Sequence, residues 1–326
     1  MRNQGRNGRV AERRAGYRRK EQLGNRLICF ITITAIIILV FYIRTIKAEL
    51  EEMRTALKRI EVLEYGRIEA STGSILQSET DYVSSIGTVD VGKPIQRSRA
   101  EIIKRLEELG KENPDIAAIG RNSSQYPEDM LAALANNPEM ADFVAGYLDK
   151  SGYTVSGLTS FEREQEYPLF LQWDPRWGYE PYGENSYIGL TGCGPTCLAM
   201  VLYYLTGDET FTPDRIADYS MENAYYVSGA GTAWALMEDF PAIYHIKVTE
   251  PKVTEHAIKE ELDKGKVLIC SMGQGDFTVA GHYIVIYGYG DGGFLVNDPN
   301  CVARSRKEWS FEQIKPQIKK IWSYEK

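Results

Sequence analysis

Residues 188–205 read IGLTGCGPTCLAMVLYYL, a cysteine between two glycines, a proline two places on, then a continuous apolar run. Proline fits the first turn of a helix and is costly beyond it, so Pro195 sets the helix start at or next to Cys193. Free backbone N–H groups and the positive end of the helix dipole there favour negative charge on the sulfur. Gly192 and Gly194 remove side chains that would crowd an incoming carbonyl. The competing reading is a small apolar residue in a glycine-rich turn, the ordinary fate of an isolated free cysteine. Cys197, one turn further in beside Leu198 and Met200, takes that second reading. For Cys193 the choice rests on partners elsewhere.

A nucleophilic thiol needs a base, and the chain offers three histidines. His245, in PAIYHIKV, reads as a strand edge, and His256, in VTEHAIKEEL, as an exposed helix position. His282 opens GHYIVIYGYGDGGFLVNDP, which reads as two strands joined by a tight turn at Gly290–Gly293. With a three-residue loop at 290–292, His282 opposes Asn300. Asp298 then lies diagonally across on the same face, within reach of the imidazole. A two- or four-residue loop needs a bulge to do the same. Asp298 alone also fits a plain Asp-Pro turn. As a pair, Asp298 would orient the imidazole and His282 would take the thiol proton and return it to a leaving group. Gln172, in YPLFLQWDPRWGY, lies upstream of Cys193 and could supply a side-chain N–H to an oxyanion, with the backbone N–H of Cys193 as second donor.

The order Gln172, Cys193, His282, Asp298 resembles that of the papain-like cysteine peptidases. More closely, it resembles their bacterial branch related to the double-glycine leader peptidases of bacteriocin exporters. LQWDPRWGYEPYG, GCGPTCLAMVLYYLTGD, GAGTAWALM, ICSMGQGDFTVAGHYIVI and VNDPN carry the resemblance across residues 167–326. It implies an α+β, papain-like fold, a helix carrying the cysteine packed on an antiparallel sheet carrying His and Asp. It also implies Cys193 as nucleophile, His282 as base, Asp298 as orienter and Gln172 at the oxyanion hole, with GAGTAW and SMGQGDF lining the cleft. The exporter-linked members are joined to transporter segments; this chain has no nucleotide-binding motif, so leader processing coupled to export is not expected.

Charge and hydropathy divide the rest of the 326 residues. Residues 1–26 carry nine Lys/Arg against Glu12 and Glu21, which leaves −14 on the remainder of a chain of net charge −7. An acidic body argues against nucleic acid as partner. LICFITITAIIILVFYI, residues 27–43, is uncharged and spans roughly 25 Å as a helix, near the bilayer core of about 30 Å. Ile46 and Ala48 make a poor cleavage site, so the segment reads as a transmembrane signal anchor, with 1–26 a cytoplasmic tail and the remainder extracytoplasmic at the cell membrane. Residues 44–65 read as a helical stalk whose apolar positions between 43 and 60 could pair two chains. Residues 66–98 read as a linker, 99–150 as a region of three or four short proline-started helices, and 161–326 as the peptidase domain. Five cysteines without paired CxxC spacing define neither a disulfide framework nor a zinc site. No cofactor or metal is expected, since no phosphate loop or ligand cluster is present.

These features support a membrane-anchored, extracytoplasmic peptidase acting on a peptide or protein, cell-wall peptides included, through a thioacyl intermediate. The same intermediate serves an acyl transferase passing the acyl group to an amine. A non-catalytic module that grips a peptide or wall fragment, or an assembly scaffold built on the stalk, would leave the four residues without a role.

Overall fold

The computed structural model describes residues 82–87, 89–149 and 157–326, together with Lys47. Residues 78–326 form one compact unit. Its first layer is helical: α1 (Arg99–Leu109), α2 (Pro114–Arg121), α3 (Glu128–Asn136) and α4 (Ala141–Gly146). Each start follows from local chemistry. Ser98 and Glu101 form a reciprocal capping box for α1, and Asn113 accepts two N–H groups ahead of Pro114. Pro127 is itself the N-cap of α3, and Asn137 caps a 3-10 turn, Pro138–Met140, that leads into α4.

The second layer begins with α5 (Cys193–Thr206), which starts at the cysteine with Pro195 in its first turn and ends at left-handed Gly207 (φ 67°). Residues 194–202 are buried, so the helix runs through the core. α6 (Pro213–Glu222) and α7 (Leu236–Ile243) share that core, with a small hairpin, β1 (Tyr226–Val227) and β2 (Gly231–Thr232), between them. The third layer is an antiparallel six-stranded sheet of β3 (Lys247–Thr249), β4 (Val267–Gly273), β5 (Gly281–Tyr289), β6 (Phe294–Asn297), β7 (Glu308–Trp309) and β8 (Ile318–Glu325). Its order is β3-β8-β4-β5-β6-β7. Alternate residues serve opposite faces: Val267, Ile269, Tyr283 and Val285 pack towards α5, while Leu268, Cys270, Ile284 and Ile286 pack with Ile258 of α8 (Glu255–Asp263). Burial on both faces explains why β4 is buried throughout and carries no polar alternation.

The helical layer closes on the rest through one core. Leu106, Ile119, Leu134 and Phe143 pack with Leu171 and Trp173, which flank Gln172, and with Val302, just past Asp298. The later part of the expected linker takes part as well: the Arg304 and Arg306 side chains donate to carbonyls of Gly92, Ile86 and Val83.

The expectation of a transmembrane helix ahead of the α+β fold is corrected. No helix among the described residues is long and apolar enough to cross a membrane. The longest, α5, has 14 residues and so reaches only about 21 Å, short of a bilayer core. The stretch 27–43 lies outside the described residues, as do 1–26, the 66–81 part of the linker and, Lys47 apart, the stalk with its pairing segment.

Candidate active site

Cys193 is partly exposed at the first residue of α5 and Cys197 is buried four residues on. Gly194 lets the hairpin close over this helix start. A Cβ at Gly194 would lie 2.7 Å from Thr232 Oγ1, an atom that shares a 2.7 Å hydrogen bond with the buried Tyr182 hydroxyl. The Tyr283 hydroxyl donates to the Thr232 carbonyl at 2.8 Å. The GAGTAW segment is thereby fixed beside the cysteine, with Trp234 half exposed and its indole N–H 3.1 Å from Ser271 Oγ.

His282 sits at the start of β5, and its Nε2 donates to Asp298 Oδ1 at 2.6 Å. The Cys193 sulfur acts on the same imidazole, raising its affinity for a proton, and with Nε2 taken by Asp298 the nitrogen left for the sulfur is Nδ1. The register that brings this about is set by a compensation. Tyr289 pairs with Phe294, leaving four residues, 290–293, in the turn; a bulge at Tyr287 then shifts the ladder so that Val285 pairs with Asn297. Continued to the strand start, that register sets His282 opposite Asn300, as a three-residue turn without a bulge would. His245 and His256 are exposed.

The pair is buried, His282 at 7% exposure and Asp298 at zero. Burial alone would push His282 down, but Asp298 and the Cys193 sulfur outweigh it and raise it to about 10. For Asp298, burial favours the neutral acid, while His282, Arg304 and the Asn300 N–H together hold it below the usual carboxylate range. Cys197 is pushed up by burial and stays a neutral thiol.

Gln172 lies in a turn pinned on both sides. Its backbone N–H donates to Pro299 O at 2.7 Å, next to Asp298, and its Nε2 donates to Gly189 O at 3.0 Å, in the turn that leads into α5. Arg176 bridges Asp174 and Glu162 at 2.6 Å each and so locks the same stretch. Gln172 Oε1 is buried without a hydrogen-bond partner, at a cost of about 1–3 kcal/mol. A methionine or leucine there would avoid that cost but would leave the buried Gly189 carbonyl without its side-chain donor.

The sequence reading missed Arg304, whose Nη1 lies 3.3 Å from Asp298 Oδ2, and the helical-layer residues Asn137 and Glu139. Nothing in the local sequence marks them, because each acts on a segment far along the chain.

A cysteine at a helix start, set against an antiparallel sheet that presents a buried His–Asp pair, is the arrangement that the sequence resemblance implied. Residues 164–326, half of the chain, match the model of the Peptidase_C39 like family, and the chain belongs to that family. Among solved structures it is similar to the peptidase domain of Streptococcus ComA, a bi-functional ABC transporter involved in a quorum-sensing pathway. There the identity is 16%, the overlap 44% of this chain and 96% of that one, and the TM-score 0.32. It is also similar to a protein of Bacillus anthracis described as a C39-like peptidase, at 15% identity, 49% and 94% coverage and a TM-score of 0.34. No curated protein matches the chain. The family assignment rests on the sequence match.

Proposed function

We propose that this protein is a cysteine peptidase that cleaves peptide bonds through Cys193, His282, Asp298 and Gln172. The observation that carries the reading is the buried 2.6 Å pair of His282 and Asp298 beside a partly exposed cysteine at a helix start whose sulfur raises the proton affinity of that imidazole. In this reading the thiolate of Cys193 and the imidazolium of His282 form the resting pair, favoured by the raised affinity of His282 for its proton. Sγ attacks the scissile carbonyl, and the second N–H of Gln172 and the backbone N–H of Cys193 receive the oxyanion. His282 protonates the leaving amine, giving a thioacyl enzyme, then takes a proton from water as that ester is hydrolysed. Asp298 holds the imidazole in orientation throughout. The substrate is a peptide or protein segment laid between the Thr232–Trp234 side and the loop preceding His282.

The test is incubation of the reduced chain with a peptide library, beside Cys193→Ser and His282→Ala. Cleavage by the wild type, absent in both variants, is expected. Binding of a peptide without turnover, unchanged in Cys193→Ser, would sink the reading, and product joined to an added amine instead of water would redirect it to acyl transfer.

A further inference from the structure

Asp298 is shared between two cations. Oδ1 accepts from His282 Nε2 at 2.6 Å and from the Asn300 N–H at 2.9 Å. Oδ2 faces Arg304 Nη1 at 3.3 Å. Arg304 is itself only 3% exposed. A buried guanidinium is costly unless its charge is matched, and Asp298 is its sole ion-pair partner among the described residues. The Val302–Ser305 turn that carries Arg304 also grips the aspartate backbone, Ser305 Oγ accepting the Asp298 N–H at 2.8 Å.

That turn is held from the helical layer. The two carboxylate oxygens of Glu139 accept the N–H groups of Val302 and Ala303 at 2.8 Å each. Asn137 donates to the Asn300 carbonyl, and Val302 lies in the helical core. A continuous line of contacts therefore runs from the helical layer through the turn to Arg304, Asp298, His282 and Cys193.

We propose that Arg304 is a positioning residue that keeps Asp298 ionised and aimed at His282, and that Glu139 of the helical layer holds Arg304 in place for that task. The proposal rests on the peptidase reading. The physical reason lies in the cycle: when His282 hands its proton to the leaving amine it becomes neutral, and a fully buried Asp298 would then have no cation beside it. Arg304 supplies that charge at every stage, so Asp298 need not take up a proton as His282 loses one. The groups that act on Asp298 are His282 from β5, Cys197 from α5, and Cys301 and Arg304 from the turn, with Cys193 beyond His282 and Glu139 beyond Arg304. Burial keeps Cys197 and Cys301 as neutral thiols, so the charges that matter are those of Cys193, His282, Arg304 and Glu139.

The test is the pH profile of iodoacetamide alkylation at Cys193, followed by peptide mapping on the full reduced chain, for wild type, Arg304→Gln, Arg304→Lys and Glu139→Gln. The glutamine amide can still donate to Oδ2 but carries no charge. Asp298 then protonates more readily and releases His282, so the acid limb moves up by about one pH unit. Arg304→Lys keeps the charge and restores most of the wild-type limb; Glu139→Gln moves the limb the same way by less. If Arg304→Gln loses its near-ultraviolet circular dichroism, Glu139→Gln and Arg304→Lys decide. An unmoved acid limb in a folded Arg304→Gln, or in Glu139→Gln where the former does not fold, overturns the positioning role and leaves the peptidase reading intact. A wild-type Cys193 that reacts only as an ordinary thiol overturns the peptidase reading, and this proposal with it.

Discussion

The two walls of the site are built by different means. The cysteine wall is local: Gly192, Cys193 and Pro195 lie within four residues, start α5, and are followed at once by the apolar run that packs it on the sheet. The aspartate wall is assembled from afar. Its turn is held by Glu139, 163 and 164 residues earlier in the chain, and its neighbour Gln172 lies between two residues of the helical core. One wall depends on adjacent residues and the other on a separate layer, so damage to the helical layer should reach Asp298 and Gln172 before it reaches Cys193.

The strongest way to break this contrast is to remove the layer. A chain beginning at Gly157 exposes Leu171, Trp173 and Val302 and leaves two N–H groups of the 302–305 turn without Glu139. It should give no cooperative transition in calorimetry; a sharp transition with full Cys193 labelling would show that the walls stand alone. A narrower cut is Phe143→Ala. The Phe143 ring occupies the space that Cβ atoms at Gly178 and Gly189 would need, and Gly189 is the residue whose carbonyl accepts from Gln172. Loss of about 3–5 kcal/mol in urea unfolding is expected, and a loss below about 1 kcal/mol would detach the helical layer from the Gln172 side.

On the cysteine wall, Gly194→Ala drives a methyl into Thr232, which the Tyr182 hydroxyl holds. A cost of about 1–3 kcal/mol and slower Cys193 alkylation should follow; unaltered alkylation would mean that the hairpin does not define the cleft. The pH dependence of stability sharpens the other wall. Because folding raises His282 to about 10, its contribution is complete below its unfolded value of 6.5 and is lost as pH rises through about 10. The stability difference between wild type and His282→Gln should therefore shrink across that window, and a constant difference would contradict the Asp298 pairing. The smallest effect is Cys197→Ala, which should cost about 1 kcal/mol and leave Cys193 labelling unchanged.

The cysteine wall was legible in the sequence for the same reason that it is robust. Proline, glycine and an apolar run act on their own neighbours, and β4, β5 and β6 announce themselves as runs of β-branched and aromatic residues. The pairing of His282 with Asp298 could be counted along a hairpin, although the turn proved to have four residues and the ladder a bulge. Arg304 and Glu139 carried no such signal. A buried Arg and a buried Glu look in sequence like any surface charge, and only the closure of the helical layer on the 302–305 turn reveals their partners. The alternation of faces in the sheet was likewise hidden, because both faces are covered.

The bulge at Tyr287 bears on how the gene can vary. Tyr287 stacks on Tyr167, their centroids 5.0 Å apart, and stands outside the β5–β6 ladder. The hairpin thus keeps one residue of slack between its turn and the end that carries His282. A deletion within 290–293 can be absorbed by drawing Tyr287 back into the ladder, and an extra residue can stay in the turn, without altering which residue faces His282. Length changes at that tip are silent for the chemistry, whereas one between His282 and Ile286 would turn the imidazole away from Asp298.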